Sequence, residues 1–218
     1  SKVLLLFGTR RTGKTWLLKQ LKHNLKSQPL HFNGEDTDMQ QLLSKRTIAN
    51  YKRIVGKHKL LIIDEAQAIP DIGKILKLMI DELPDLTIIA TGSSAFDLSN
   101  KAGDPLTGRS YTYHLYPMAQ LELQDTETVV DTQQNFDERL IYGSYPELFN
   151  LDTLEEKEAY LKELVNSYLL KDILMYEDIK NSSKIKDLLK LIAYQVGAEV
   201  SLNELSRQLG IAKNTLEH

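Results

Sequence analysis

The sequence predicts an α/β fold in which a parallel five-stranded sheet carries helices on both faces. Over residues 1–117, short apolar runs alternate with segments whose apolar residues recur at helical spacing, the pattern of strand–helix–strand units. The predicted strands lie at 3–7, 29–32, 60–63, 86–94 and 111–116. From residue 118 onward the apolar spacing is helical, so an all-α part is expected to follow the sheet.

The turn after the first predicted strand carries the clearest functional signal. Its glycines, lysine and threonine match the spacing G-x-x-x-x-G-K-S/T of a phosphate-binding P-loop, between an apolar strand and a helical segment. Glycines let a turn present its N–H groups to phosphate oxygens, and a helix N-terminus favours the same negative charge. The candidate nucleotide-binding residues are Gly8, Thr9, Arg10, Arg11, Thr12, Gly13, Lys14, Thr15 and Trp16.

Specific roles follow for two of these side chains. Lys14 can reach the β- and γ-phosphates of a nucleoside triphosphate, and the Thr15 hydroxyl can ligate Mg²⁺. For Arg10 and Arg11 the sequence leaves three partners open: phosphate, a neighbouring subunit or solvent. We therefore expect ATP or ADP with Mg²⁺ at this turn.

The third predicted strand ends in two acidic residues, the Walker B pattern. Apolar residues 60–63 lead into Asp64 and Glu65. We expect Asp64 to hold Mg²⁺ directly or through water, and Glu65 to orient or deprotonate an attacking water. Because successive strand side chains point to opposite faces, one of the two must lie at the strand end for both to serve.

Two further candidate catalytic residues have open interpretations. The fourth predicted strand ends in Thr91, Ser93 and Ser94, at the edge where open α/β sheets bind ligands. A hydroxyl there, Ser93 in particular, either senses the γ-phosphate and positions water or caps a following helix. Arg109 either stabilises charge on the transferring phosphoryl, within one subunit or from a neighbour, or has a surface role.

Helix predictions complete the chain. One helix is expected over 38–55 with Gly56 after it, and another over 71–82 capped by Asp71. Residues 137–149 are predicted to form a helix, a break at Gly143 and a turn that Pro146 initiates, and further helices are predicted from 153 onward and over 184–196. Residues 201–215 have a helix–turn–helix pattern, which serves either DNA binding or packing.

Composition excludes several functions. The 218 residues contain no cysteine, so disulfides and thiolate metal sites are excluded. No apolar run approaches the ~20 residues that span a bilayer, and no signal peptide is visible, so we expect a cytoplasmic protein without a membrane partner.

The first 34 residues contain seven basic residues and no acidic one, which suits a polyphosphate ligand, nucleic acid or a solvated helix face.

Together these motifs resemble the prokaryotic AAA-type ATPases that carry a C-terminal domain of unknown function. The matching segments are Gly8–Thr15, Leu61–Gln67, Thr91–Ser94, Leu106–Arg109, Pro117, Gly143–Glu147 and Tyr168–Ile173. The resemblance implies an AAA-like P-loop core over 1–117, a helical lid over 118–180 and a partial winged-helix domain over 181–215. Residues 216–218 are expected to be a tag remnant. In related nucleotide-switch ATPases a lid glycine and proline contact the nucleotide, which points to Gly143 and Pro146.

The function expected is Mg²⁺-dependent ATP binding and hydrolysis, coupling nucleotide state to movement of the lid and C-terminal domain. The alternative is a switch that binds nucleotide without turnover and recruits a protein or DNA partner. A nucleoside or small-molecule kinase is a third hypothesis, although no acceptor pocket is visible in the sequence. Homo-oligomerisation stays open.

Overall fold

The computed structural model describes residues 2–25, 27–93, 106–169 and 182–213. Its sheet has five strands in the order β2-β3-β4-β1-β5, and every strand pair is parallel. The predicted fold class is confirmed. The strands are β1 (Val3–Phe7), β2 (Leu30–Asn33), β3 (Leu60–Asp64), β4 (Thr87–Gly92) and β5 (Ser110–His114).

The core lies where the central strands meet the helices. Alternate residues of β1, among them Val3 and Leu5, are buried in one apolar cluster with Leu61 of β3 and Ile88 of β4. Ile62 points to the opposite face of the sheet and is 0% exposed, so β3 is buried on both faces. Burial on both sides explains why this strand is a continuous apolar run.

Eight helices of eight residues or more lie within the described ranges. They are α1 (Lys14–Asn24), α2 (Thr37–Ser44), α3 (Ile48–Val55), α4 (Ile72–Glu82), α5 (Val129–Tyr142), α6 (Leu154–Leu164), α7 (Ser182–Tyr194) and α8 (Leu202–Leu209). Shorter turns occupy Ala66–Ala68, Gln120–Leu123, Pro146–Asn150 and Val165–Leu169.

The single helix predicted over 38–55 is wrong, because the chain breaks it into α2 and α3. The Asn50 side chain is buried and donates to the carbonyl oxygens of Leu42 (2.9 Å) and Lys45 (3.0 Å), at the end of α2. The Thr47 hydroxyl accepts from the Asn50 N–H at 3.3 Å and caps α3. These bonds satisfy helix-end groups that an unbroken helix would not expose.

Asp71 precedes α4 as predicted, but its side chain does not cap the helix. The residue has a left-handed backbone (φ 54°), and its carboxylate instead pairs with Lys74 (2.7 Å) and Arg46 (3.1 Å). The hydrogen bond from Lys74 is the main reason that the pKa of Asp71 is lowered. Ion pairs with Lys74 in the first turn of α4 and with Arg46 outside it thus replace the expected cap.

The chain divides into two compact units, 1–154 and 155–218. In the second unit, α8 packs on α7 and buries Leu205 and Ile185. Gly210 ends α8 in the left-handed conformation (φ 61°), as the helix–turn–helix pattern requires. The residues that would continue its second helix, and the expected tag remnant, lie outside the described residues. The division at 117 and 180 stays a prediction.

Across the described ranges, we find no helix that combines the length and apolar character needed to cross a bilayer.

Candidate functional site

The turn between β1 and α1 has the geometry of a P-loop. A Cβ on Gly8 would lie 2.6 Å from the carbonyl oxygen of Leu115, so this close approach requires glycine. Gly13 has φ 97° immediately before α1, a conformation that other residues rarely adopt. The backbone therefore turns sharply and places the amino end of α1 at the carboxyl end of β1.

Lys14 is held inside this loop. The residue is 4% exposed, and its ammonium donates to the carbonyl oxygens of Gly8 (2.9 Å) and Thr9 (3.0 Å). The buried Thr12 hydroxyl also donates to Thr9, at 2.8 Å. The loop is thus closed around a cation, the arrangement that a polyphosphate would meet.

Other residues of the loop are placed differently. Arg11 has a left-handed backbone with φ 67°, so the turn is tight at this position. Trp16 follows on α1 with a side chain that is 64% exposed. Their predicted contacts with nucleotide stay predictions.

Thr15 and Asp64 come together, although 49 residues separate them in the chain. The Thr15 hydroxyl donates to Asp64 Oδ2 at 2.9 Å. A hydroxyl and a carboxylate oxygen are hard ligands of the kind that Mg²⁺ prefers beside phosphates and water. The donor set therefore fits the Mg²⁺ that the P-loop implies.

A buried hydroxyl on β4 ties Asp64 to its neighbour. Thr91 is 0% exposed, donates its hydroxyl hydrogen to Asp64 Oδ1 and accepts the backbone N–H of Glu65 at 3.1 Å. One side chain thus orients the candidate metal ligand and the backbone of the candidate base.

We predict that Thr91→Val lowers the free energy of unfolding by about 2 kcal/mol, because the partly buried N–H of Glu65 then has no acceptor and the buried Asp64 loses a donor. Chemical denaturation measures the change. Thr91→Ser keeps the hydroxyl and is the matched control, with an expected loss of about 1 kcal/mol for the missing methyl. A larger loss in the serine variant would contradict the bridging role.

The end of β3 aims Glu65 differently from Asp64. The strand ends at Asp64, and Glu65 has a left-handed backbone with φ 52°. Gly34, after β2, donates its N–H to the Asp64 carbonyl at 2.7 Å, and a Cβ there would lie 2.2 Å from the Glu65 carbonyl oxygen. The sequence pattern requires one of the two acids to lie at the strand end if both are to serve. Asp64 does so, and because Glu65 lies in the turn after it, the two side chains no longer alternate along one strand.

Ser93 lies directly after β4 and is 2% exposed. Its hydroxyl is buried and has no hydrogen-bond partner among the described residues. Ser94 and the helix that Ser93 would cap fall outside the described residues, so both interpretations of Ser93 stay open.

Arg109 is not brought to this site. Its carbonyl oxygen accepts from Val3 at the amino end of β1, whereas the P-loop follows the carboxyl end, where Phe7 lies beside His114. At a strand rise of ~3.3 Å per residue, the two ends are roughly 13 Å apart. The Arg109 side chain pairs instead with Asp81 at 2.8 Å. We therefore correct the prediction that Arg109 acts on the nucleotide of its own subunit.

The predicted lid segment does approach the P-loop. The Tyr145 hydroxyl donates to the Thr9 hydroxyl oxygen at 3.3 Å, and the N–H of Met118 donates to the Ser144 carbonyl at 2.9 Å. Gly143 ends α5 with φ 79°, and Pro146 begins the next short turn. Pro146 thus lies one residue from a contact with the loop.

Sequence reasoning missed three contacts at the site: those of Tyr145 with Thr9, of Gln67 with Glu65 and of Gly34 with the turn at Glu65. Tyr145 and its partner Thr9 are 136 residues apart in the chain, and no local sequence pattern predicts a contact between them. Gln67 lies two residues after Glu65, and this closeness to the acidic pair is a signal that could have drawn attention to it.

The fold and this loop define the class of a P-loop nucleotide-binding protein. Residues 1–124 match the family model of the AAA domain, and residues 133–218 match a domain of unknown function (DUF8612). Since the first match covers more than half of the chain, the protein belongs to this AAA domain family, as the resemblance predicted.

The curated relatives are uncharacterised. One from Haemophilus influenzae is 26% identical over 95% of this chain and 55% of its own length. Another, from Methanocaldococcus jannaschii, is 24% identical over 96% of this chain and 50% of its own length. A Mycobacterium tuberculosis relative is 27% identical over 98% and 45%, respectively. The chain spans about half the length of the curated relatives it matches.

Among solved structures, similarity is found to the replication initiator DnaA bound to AMPPCP and single-stranded DNA. That match has a TM-score of 0.45 and 16% identity, and covers 96% of this chain and 77% of the other. AMPPCP-bound DnaA from Aquifex aeolicus matches with a TM-score of 0.42 and 16% identity, over 93% and 66%.

Proposed function

We propose that this chain binds and hydrolyses ATP with Mg²⁺ as an AAA-type module. The observation that carries the proposal is the hydrogen bond between Thr15 and Asp64, directly beside a P-loop that encloses Lys14. These groups come from two motifs 49 residues apart and supply the phosphate and metal ligands of a nucleotide site.

Substrate binding falls to the loop and its lysine. The N–H groups of the loop and the start of α1 hold the phosphate oxygens, and Lys14 leaves its carbonyl partners to reach the β- and γ-phosphates. Thr15 and Asp64 supply oxygen ligands to Mg²⁺. When bound, Mg²⁺ neutralises charge on the phosphates.

The hydrolytic step uses Glu65 beside the metal ligand. Its carboxylate orients a water for in-line attack on the γ-phosphorus and accepts the proton that the water loses, while the bond from this phosphorus to the bridging oxygen breaks and ADP leaves. Ser93 is proposed to position the same water or sense the γ-phosphate. Arg109 is proposed to act only on a neighbouring subunit's nucleotide, which makes a homo-oligomer part of the proposal. Positioning and charge stabilisation account for most of such catalysis.

Nucleotide state is proposed to pass to the lid through Tyr145. Its hydroxyl contacts Thr9 within the loop whose occupancy changes, and Pro146 follows immediately. Movement of this segment would bias the second unit, where the α7–α8 pair is proposed to be part of a winged helix for a DNA or protein partner. A cytoplasmic location belongs to the same proposal.

The proposal is tested with Glu65→Gln. In the wild type, we expect steady phosphate release from Mg-ATP without an added acceptor, which also separates an ATPase from a kinase. The Glu65→Gln variant should lose about 100-fold or more in kcat, because the base is gone while the phosphate ligands remain. The increase in melting temperature caused by Mg-ATP should persist.

Glu82→Gln, the same exchange at an exposed position at the end of α4, is the matched control and should turn over normally. Burst-only hydrolysis by the wild type, with ADP retained, would instead favour the switch without turnover. Equal kcat in Glu65→Gln and wild type would overturn the role of Glu65.

A further inference from the structure

A side chain with no role in the scheme above contacts the proposed base. Gln67 lies in the short turn Ala66–Ala68 that follows Glu65. Ala66, between them, is 0% exposed and belongs to the main apolar cluster, so the turn is fixed to the core. Glu65 and Gln67 flank this buried residue, and both are partly exposed.

Gln67 hydrogen-bonds directly to the carboxylate of Glu65. Its Nε2 donates to Glu65 Oε2 at 2.5 Å. A bond from an amide to a carboxylate is charge-assisted and stronger than one between neutral groups. Since the backbone of Glu65 is already held by Thr91, this bond restricts the remaining freedom of the side chain.

The other end of the amide is packed against β4. Gln67 Oε1 is buried and has no hydrogen-bond partner in the described parts of the chain. It lies against Gly92, where an added Cβ would be only 3.0 Å from it. A buried carbonyl without a donor costs free energy, so packing alone would favour an apolar side chain at this position.

We propose that Gln67 is the positioning residue of Glu65: it holds the carboxylate in the orientation that directs water at the γ-phosphate. The proposal rests on the proposed function, since it assigns a role relative to the base of that reaction. Contact with Gly92 orients the amide so that Nε2 faces the carboxylate. Gln67 itself touches neither phosphate nor metal in this role.

A double-mutant cycle tests the proposal. Gln67→Met keeps the length of the side chain and removes the donor, so kcat should fall about tenfold or more, as typically follows loss of a group that orients a ligand. KM for Mg-ATP and the Mg-ATP-induced increase in melting temperature should not change. Gln41→Met, at an exposed position on α2, is the matched control and should match wild type.

The second half of the cycle separates positioning from a structural role. Added to Glu65→Gln, the Gln67→Met exchange should cause no further loss, because Gln67 acts through Glu65. A structural role would lower kcat by the same factor in both backgrounds. If Gln67→Met fails to fold, Gln67→Leu also removes the donor without adding a charge beside Glu65 and should show the same loss.

The outcomes distinguish the two proposals. Unchanged kcat in Gln67→Met, an additive double mutant or a changed KM would overturn the positioning role while the proposed function stands. A wild-type protein without steady turnover would overturn the proposed function and the positioning role with it.

Discussion

Replacing Lys14 with alanine is expected to abolish the thermal stabilisation that Mg-ATP gives the wild type. A ligand that binds only the folded state stabilises it by about 2.7 kcal/mol at a concentration 100 times its Kd. The Lys14 ammonium is buried in the loop and bonded to Gly8 and Thr9, where it is placed to meet the phosphates. Without it, the phosphate charge loses its principal cation, and the gain in stability should disappear.

The measurement is the melting temperature with and without Mg-ATP, so any change in the stability of the free protein cancels. Lys19→Ala is the matched control, because Lys19 is exposed on the same helix. This variant should be stabilised as the wild type is. If Mg-ATP raised the melting temperature of the Lys14→Ala protein as much as that of the wild type, the P-loop assignment would be wrong.

Among substitutions that add a single methyl group to the site, Gly34→Ala is expected to lower the free energy of unfolding the most. The added Cβ would lie 2.2 Å from the carbonyl oxygen of Glu65 and 2.8 Å from its carbon, and backbone atoms cannot swing aside as a flexible side chain can. We expect the free energy of unfolding to fall by about 3 kcal/mol, at the upper end of the usual range for overpacking. Chemical denaturation measures it.

Gly210→Ala gives the comparison that isolates the steric term. Gly210 is left-handed, with φ 61° and ψ 41°, and nothing lies within 4 Å of its would-be Cβ, so alanine there meets only the cost of the left-handed conformation. That cost is about 1 kcal/mol. If Gly34→Ala were the milder of the two, the close approach between β2 and the Glu65 turn would be wrong.

The local elements of the site were predictable because their signals are local. An apolar strand, a P-loop spacing and a helix occur within twenty residues, and the structure places β1, the loop and α1 there. The apolar run before Asp64 likewise predicted β3, and the strand ends at the position that the two acids required.

The predictions from the sequence were wrong where hydrogen bonds from side chains, or contacts between distant residues, determine the path of the backbone. The apolar spacing of 38–55 is continuous, yet the buried Asn50 amide closes the end of α2 and separates α3 from it. The interpretation in which Arg109 acts on the nucleotide of its own subunit failed for another reason. Its place before β5 is correct, but the parallel pairing of β5 with β1 puts it at the amino end of the sheet.

By itself, the sequence determined the fold class, the family and the candidate phosphate, metal and base groups: Lys14, Thr15, Asp64 and Glu65. The fold class and these residues follow from composition, period and spacing, which act over a few residues, and the family follows from the resemblance that the ordered motifs carry. Tertiary structure alone decided that β4 lies between β1 and β3, that Thr91 joins Asp64 to Glu65, and that Gln67 holds the Glu65 carboxylate. The physical reason is that strand order and side-chain contacts depend on the packing of residues far apart in the chain.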